Sequence, residues 1–335
     1  MTPSVLARLK PAYDVAANLA GRWSTLLRIV GTLSLGVLIW ASVDFGRLVD
    51  AISGAAPLGI LLALGLAPLN LTLENLKWVR LLRAAGAQSS FRGGLASVLC
   101  GYAFGIVTPA RLGELLGRAL KTPSLGTARV SGLTIVDRLL SQVWYLLGGV
   151  LALFVLAPGG VGRTITVLAA VVGTAAALLL YAVIRAPAAV LDRLGSVGQS
   201  GWADRLTGFL QEAVRDDASR LLTLSGLRYL VIATQFWLVL LALGPLADPA
   251  QLLAGGVVIL FIKTCVPPVT IGDLGVREAA AVLLAGSMGL TEEASLAAAL
   301  CLYTINVLWP AVLGVGVFLF HSRPSFGPAL AEQNG

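Results

Sequence analysis

Charged residues and metal-binding side chains are scarce in this sequence. Charged residues make up 12% of its 335 residues, and it contains three cysteines and one histidine, His321. Soluble globular domains carry about 25% charged residues, so the composition excludes a soluble globular protein. One histidine leaves almost no basis for a His-based metal site or catalytic triad. The cysteines stand at no metal-ligand spacing and are interpreted as small buried apolar residues.

Motifs for nucleotide binding and for hydrolysis are also missing. The sequence contains no Walker loop, no Gly-x-Ser-x-Gly, no HExxH and no Asp-rich diphosphate motif. No residue pattern supplies an obvious nucleophile. We therefore predict that the chain is not an enzyme and uses no cofactor or metal. Any transport that it performs would then be passive or driven by a gradient.

Long apolar runs are what the sequence does contain. Hydrophobic residues make up 57% of the chain, and the mean hydropathy is +0.87. Runs near the length of a membrane-spanning helix, about 20 residues, lie near 26–43, 55–73, 131–157, 163–184, 227–245 and 294–320. The sequence therefore predicts a single membrane domain over 1–335. It comprises a polar N-terminus (1–25), a transmembrane core (26–320) and a tail (321–335).

Two further apolar regions, 93–120 and 252–290, are each interrupted by a charged motif. The motifs, at 108–118 and 267–278, share one pattern: each contains proline, then glycine beside an acidic residue, and arginine. A charged side chain at the centre of a bilayer costs about 2.5–3.5 kcal/mol on insertion scales. A chain that accepts several such charges, twice and in matching form, is predicted to use them.

The basic residues predict how the chain crosses the membrane, because cytoplasmic loops carry an excess of Lys and Arg. The N-terminal segment 1–25 is basic and is placed in the cytoplasm, whereas 44–54 carries two aspartates and suits the outside. Segment 74–92 is basic and suits the inside. Its apolar residues are spaced as in an amphipathic helix that lies at the membrane interface.

The path of 93–120 decides the side of the long segment 185–226, which contains five arginines. That segment stays cytoplasmic only if 93–120 enters the membrane and returns. By the same reasoning 252–290 enters from the outside. The predicted fold is an all-α integral membrane protein with about six full transmembrane helices plus two opposed re-entrant helical hairpins, inverted-repeat-like. The protein is predicted to lie in the cell (inner) membrane, with both termini in the cytoplasm.

The first motif predicts a binding site for an anion. In a helix that starts after Pro109, Arg111, Glu114 and Arg118 share one face. Two arginines around one carboxylate leave a positive charge, and arginine presents forked donors that suit a phosphate. The alternative is a self-contained salt bridge that pins the hairpin. The two motifs are predicted to meet at one polar cavity, with Glu114 on one wall and Arg277 on the other.

The second motif and two nearby regions extend this candidate site. Asp273 and Arg277 are four residues apart, with Glu278 adjacent; the alternative is a structural turn. Lys263 stands within an apolar run, where it either joins the site or reaches an interface. Asp137 and Arg138 either complete the polar cluster or form an interfacial ion pair. The predicted substrate-binding residues are Arg111, Glu114, Arg118, Asp137, Arg138, Lys263, Asp273, Arg277 and Glu278.

At these motifs the sequence resembles the lysylphosphatidylglycerol synthase transmembrane family, whose membrane domain is flippase-like. The matching features are 108–114, the Asp137-Arg138 pair and 268–278, and the resemblance covers about 30–320. It implies opposed re-entrant elements and, as in members fused to an aminoacyl-transferase domain, movement of aminoacylated phospholipids between leaflets. No such domain follows the last apolar run, so we expect a stand-alone member that does not itself make lysyl-lipid.

The predicted function is translocation of an anionic phospholipid or lipid-linked headgroup between leaflets through a central polar cavity. One alternative is an accessory subunit that presents a polyprenyl-phosphate or glycolipid to a glycosyltransferase. Another is an intramembrane lipid-modifying enzyme. The predicted partners are membrane lipids, with a second copy of the chain or a lipid or glycan enzyme as protein partner. Nucleic acid is not expected, because the basic residues are scattered between apolar spans.

Overall fold

The computed structural model describes residues 45–108, 111–156, 161–185, 208, 217–266 and 274–320. Every regular element in these ranges is helical, which confirms the predicted all-α class. The predicted span 26–43, the tail 321–335 and most of the segment 185–226 lie outside the described residues.

The described chain forms α-helices joined by short turns. The helices are α1 (Phe45–Ser53), α2 (Pro57–Gly65), α3 (Ala67–Ala84), α4 (Phe91–Ile106), α5 (Gly113–Leu120), α6 (Thr127–Leu156), α7 (Val161–Arg185), α8 (Ala218–Leu243), α9 (Pro249–Cys265), α10 (Val276–Leu284), α11 (Glu292–Tyr303) and α12 (Trp309–Phe320). A π-helical segment, Thr304–Leu308, joins α11 to α12.

Within the described residues, four helical stretches are long and apolar enough to cross a membrane. They are Pro57–Ala84, which combines α2 and α3, then α6, α8, and Glu292–Phe320, which combines α11, the π-helical segment and α12. Shorter apolar helices occupy 91–106, 169–184 and 249–265. These helices confirm a multi-pass membrane protein.

Helix α3 differs from the prediction for 74–92. An interfacial helix would turn its polar face to the lipid headgroups, yet Glu74 is 3% exposed and Lys77 is 0% exposed. Trp78 is also fully buried. The prediction of an interfacial helix is wrong, because oppositely charged side chains on neighbouring helices surround the polar face of α3. The predicted span 55–73 therefore continues as one helical stretch to Ala84.

The described helices form two units with the same order of elements. The first unit (57–156) begins with the stretch Pro57–Ala84, formed by α2 and α3. A hairpin of the long α4 and the short α5 (the first hairpin) follows, and then the long α6. The second unit (218–320) contains α8, a similar hairpin (α9 and α10, the second hairpin), and the long stretch that ends in α12.

The opening helices of the two units pack against each other and run antiparallel. Gln235 Nε2 of α8 donates a hydrogen bond to the Ala63 carbonyl over 2.9 Å. Further along, Arg228 Nε donates to Asn70 Oδ1 over 3.0 Å. Because residue numbers fall on α8 while they rise along α2 and α3, the opening helices of the two units point in opposite directions.

The short arm of each hairpin is too short to cross a bilayer. Helix α5 has eight residues and α10 has nine, which correspond to about 12 and 14 Å at 1.5 Å per residue. The hydrocarbon core is about 30 Å thick. Neither short helix spans it alone.

Glycines permit the close packing of the first hairpin. A Cβ atom at Gly113 or Gly117 of α5 would overlap the backbone carbonyl groups of Phe104 or Cys100 on α4. Two small residues four apart are typical of tightly packed membrane helices. This face holds α5 against α4 and fixes the position of the charged residues between them.

Each hairpin also packs against the last helix of the other unit. A Cβ at Gly314 of α12 would overlap the Leu99 carbonyl of α4. A Cβ at Gly149 of α6 would overlap the side chain of Phe261 on α9. The two units are therefore interlocked, with an apolar core around Trp78 in the first unit and another around Phe236 in the second.

Candidate functional site

The tip of the first hairpin is held by local hydrogen bonds and by a strained residue. Thr108 Oγ1 accepts a hydrogen bond from the Gly113 amide over 2.7 Å. Arg111 has φ of 54°, a left-handed conformation that costs a non-glycine residue about 1–2 kcal/mol. Its guanidinium lies 4.7 Å from the Tyr102 ring centroid, and its carbonyl accepts from Arg138 Nη2 over 3.1 Å. These contacts stabilise the strained conformation.

Glu114 is the common partner of three arginines. Its carboxylate lies 2.8 Å from Arg118 Nη2, 2.9 Å from Arg138 Nη2 and 3.4 Å from Arg111 Nη2. Gly101 makes room for this cluster, because a Cβ there would lie 2.8 Å from Arg118 Cγ and 3.1 Å from Glu114 Cγ. The predicted grouping of arginines around Glu114 is therefore present, and α6 adds Arg138 to it.

Arg118 connects this cluster to α3 and α6. It is fully buried, lies 2.9 Å from a Glu74 oxygen and 3.2 Å from an Asp137 oxygen, and stacks 4.4 Å from the Trp78 ring centroid. Lys77, also fully buried, lies 2.9 Å from the other Asp137 oxygen. Buried charges are stable only when paired and hydrogen-bonded, and each carboxylate here has two or more basic partners.

Arg228 links α8 to α3, the opening helices of the two units. Its Nη2 lies 2.9 Å from Glu74 Oε2 and donates to the Tyr102 hydroxyl over 3.1 Å. The Tyr102 hydroxyl in turn donates to Glu74 over 2.7 Å. Asn70 Nδ2 donates to Asn306 Oδ1 over 2.6 Å, which extends the polar network into the π-helical segment. Such segments are frequent at functional sites.

The second motif forms its own smaller cluster. Arg277 donates from Nε to Glu278 Oε1 over 3.1 Å, and its guanidinium lies 5.4 Å from the Tyr303 ring centroid. Glu278 Oε2 accepts from the Gly275 amide over 2.7 Å, which caps the start of α10. The predicted partner Asp273 lies outside the described residues.

Residues of both hairpins line one cavity of about 240 Å³. Its charged lining residues are Glu74, Arg111, Glu114, Asp137, Arg138, Arg228, Lys263 and Arg277. They comprise five basic and three acidic side chains, so the described wall has two more positive than negative groups. Arg111 and Glu114 belong to the first hairpin, and Lys263 and Arg277 to the second. Glu114 and Arg277 therefore line one cavity, as predicted, whereas 267–273 of the second motif lie outside the described residues.

The structure brings most of the predicted binding residues to this cavity. Those that line it are Arg111, Glu114, Asp137, Arg138, Lys263 and Arg277. Arg118 and Glu278 lie behind the wall, 0% and 1% exposed, where each pairs with a residue that lines it. Their positions suit them to orienting the wall rather than to contacting a ligand.

Four residues of the network were not selected from the sequence: Glu74, Lys77, Tyr102 and Arg228. Two signals in the sequence pointed to three of them, and none pointed to Tyr102. Glu74 and Lys77 stand three residues apart and so share a helix face. Arg228 is a charged residue within an apolar run, and such a residue is a functional candidate by its cost alone.

Metal ligands are not grouped in the part of the chain that the structure describes. Within those ranges, no cluster of three or more His, Cys, Asp or Glu side chains is placed to hold a metal ion. The arrangement instead offers guanidinium and ammonium groups around a polar cavity inside an apolar protein, which is suited to binding an anion.

Comparison with known families agrees with the motifs. No curated protein matches the chain. A family model described as "Lysylphosphatidylglycerol synthase TM region" matches residues 22–314, a range that contains both hairpins and every residue of the cavity wall. The chain therefore belongs to the lysylphosphatidylglycerol synthase TM region family.

Proposed function

We propose that this protein translocates an anionic phospholipid or lipid-linked headgroup between membrane leaflets through the cavity. The family supports a function related to membrane lipids. The observation that carries the proposal is the excess of basic side chains around a cavity that both hairpins form. A permanent charge excess at membrane depth is costly, and an anionic ligand offsets it.

The cavity wall suits the phosphate of such a headgroup. Arg138 is the most accessible arginine of the Glu114 cluster, with 36% of its side chain exposed. A phosphate oxygen replaces Glu114 as the acceptor of Arg138 and Arg111, while Lys263 and Arg277 approach from the second hairpin. Glu114 neutralises the arginines of the first hairpin when the cavity is empty, and the acyl chains stay in the bilayer.

The proposed topology has six spans and two re-entrant hairpins that enter from opposite faces as an inverted repeat. Three observations support it: the short α5 and α10 helices, the antiparallel opening helices, and the meeting of both hairpins at one cavity. Irregular backbone at membrane depth is tolerated where it lines a cavity. The protein then lies in the cell (inner) membrane, and both of its termini are in the cytoplasm.

Translocation leaves the lipid chemically unchanged and requires no cofactor. The cargo is an anionic phospholipid or a polyprenyl-phosphate lipid, both of which present a phosphate to the arginines. A second copy of the chain or a lipid or glycan enzyme is the proposed protein partner.

Leaflet exchange in proteoliposomes tests the proposal. Purified protein is reconstituted with fluorescent phospholipids of anionic or zwitterionic headgroup, and a membrane-impermeant quencher measures the fraction exchanged over time. We expect exchange of anionic lipid by the wild type. Arg111→Ala and Arg277→Ala should each slow this exchange. In a separate titration of the purified protein with anionic lipid, each should weaken binding by about 2–5 kcal/mol, the usual cost of truncating one partner of a buried charge pair.

Arg220→Ala is the matched control. The Arg220 side chain is 72% exposed, and among the described residues its ion pair is with Asp217, at 3.4 Å. This variant should exchange lipid like the wild type. Unchanged lipid affinity in both cavity variants would show that the arginine clusters are only structural salt bridges. Release of a new product from radiolabelled lipid would instead favour the lipid-modifying enzyme, and copurification with a glycosyltransferase without exchange would favour the accessory subunit.

A further inference from the structure

The positive charge of the cavity wall extends to the side chains bonded behind it. Among the described residues, five basic and three acidic side chains line the cavity. Behind them, Arg118 and Lys77 add two positive charges and Glu278 adds one negative charge, and each is paired with a residue of the wall. The described network therefore contains seven basic and four acidic side chains, an excess of three positive charges.

The two hairpin tips that lie outside the described residues carry one charge between them. The segment 109–110 contains no charged residue, and 267–273 contains Asp273 alone. Counting Asp273 with the network still leaves an excess of two positive charges. Five of the seven basic residues are arginines, which stay protonated in proteins, so the network cannot lose this excess by releasing their protons.

The basic side chains reach the cavity from five separate elements. Arg111 comes from the tip of the first hairpin, Arg138 from α6, Arg228 from α8, Lys263 from α9 and Arg277 from α10. A ligand that contacts several of them needs acceptor oxygens that point in several directions. A terminal phosphate offers three strong acceptor oxygens, whereas a phosphate inside a diester has one of these oxygens blocked by a second ester bond.

The charge of the headgroup separates two classes of phosphate lipid. A phosphate monoester carries a charge of about −1.5 to −2 at pH 7, whereas a phosphodiester carries a single negative charge. Uncompensated charge at membrane depth is costly. A monoester matches the two positive charges that remain when Asp273 is counted, whereas a diester leaves one of them uncompensated.

We infer that the cavity selects lipids whose headgroup ends in a phosphate monoester over phosphodiester lipids with the same hydrocarbon chains. This inference rests on the proposed function and narrows its substrate class. A phosphatidate and a polyprenyl phosphate both carry such a headgroup, so the terminal phosphate is the recognised chemistry. Phospholipids with a second alcohol esterified to the phosphate belong to the disfavoured class.

Two lipids that differ by one methyl group test the selection. The full chain, purified in a neutral detergent, is titrated by calorimetry with short-chain phosphatidate and with phosphatidylmethanol, its methyl diester. We expect phosphatidate to bind about tenfold or more tightly, because it alone compensates the second positive charge. A polyprenyl phosphate of similar chain length is titrated alongside, and the tighter of the two monoesters identifies the preferred hydrocarbon chain. Equal affinity for phosphatidate and phosphatidylmethanol would overturn the inference.

The pH dependence of binding gives an independent readout. The second ionisation of a phosphate monoester lies at about pH 6, so phosphatidate loses its second negative charge as the pH falls through that value, and its affinity should fall as well. The affinity of phosphatidylmethanol should not change. The carboxylates that line the cavity, Glu74, Glu114 and Asp137, and the basic side chains named above meet both lipids, so phosphatidylmethanol controls for their titration. The same pH profile for both lipids would contradict the selection of monoesters.

Substitutions at Thr264 test whether charge sets the selection. Thr264 lines the cavity, and its hydroxyl donates to the Leu260 carbonyl of its own helix, so its replacement breaks no ion pair. Thr264→Glu adds a negative charge to the wall and should lower the preference for phosphatidate severalfold, whereas Thr264→Gln, of nearly equal size, should retain it. An unchanged preference in Thr264→Glu would overturn the inference.

The outcomes separate this inference from the proposed function. Equal binding of both lipids by the wild type, lost in Arg111→Ala, rejects the selection of monoesters and leaves the proposed function standing. Absence of both binding and leaflet exchange by the wild type rejects the proposed function together with the inference.

Discussion

Replacing Arg118 with methionine should destabilise the folded protein by about 3–5 kcal/mol. Arg118 is fully buried and lies within 3.2 Å of carboxylate oxygens of Glu74, Glu114 and Asp137. Methionine preserves most of the side-chain volume, so the main loss is one positive charge among three buried carboxylates. Breaking a buried ion pair by removing one partner costs about 3–5 kcal/mol. Because each carboxylate retains another basic partner, we expect the lower end of this range.

The measurement is unfolding of the purified protein in mixed micelles by increasing denaturing detergent, followed by circular dichroism. Arg220→Met is the control: an exposed ion pair contributes about 0–1 kcal/mol. A loss below about 1 kcal/mol for Arg118→Met, equal to that of the control, would show that the network is not what holds the first hairpin.

Two further predictions concern packing and topology. Gly117→Ala should separate α5 from α4, since its Cβ would overlap a backbone carbonyl that cannot move aside; the loss of stability should be about 1–3 kcal/mol, measured by the same unfolding experiment. Cysteines placed at the exposed Ser124 and Glu292 should react with a membrane-impermeant reagent from opposite sides of the membrane, because the hairpins are proposed to enter from opposite faces.

Each of these predictions has a clear opposing result. Gly316→Ala adds the same methyl group where no atom lies within 4 Å, and should leave stability unchanged; equal effects at Gly117 and Gly316 would contradict the role of close packing. Labelling of positions 124 and 292 from the same side would contradict the six-span topology.

Local patterns in the sequence predicted the parts of the site that lie within one helix or one turn. Glu114 and Arg118 are four residues apart, and helical geometry alone brings them together. The cost of charges at membrane depth predicted that the two motifs would meet, because separate clusters would each need their own compensation. These inferences required only spacing and composition.

The remaining partners could not be predicted, because they depend on how distant helices pack. Glu74 binds Arg228 from α8 and Arg118 from α5, and no spacing rule relates these positions. Lys77 looked like one of several basic residues in a cytoplasmic segment, since its burial depends on Asp137 being supplied by α6. The prediction of an interfacial helix at 74–92 was wrong for the same reason. A charged helix face indicates a position at the membrane interface only when no other part of the protein covers that face.

The interlocking of the two units has a consequence for biosynthesis. Chains are made from the N-terminus, yet α4 packs against α12, and Glu74 shares its charge with Arg228 of the second unit. When the first unit has left the ribosome, its hairpin has no partner for the face that later meets α12. Glu74 therefore gains Arg228 only when α8 is inserted, and α4 gains its contact with Gly314 only when α12 is inserted. The charged network is therefore completed only after the first unit has left the ribosome.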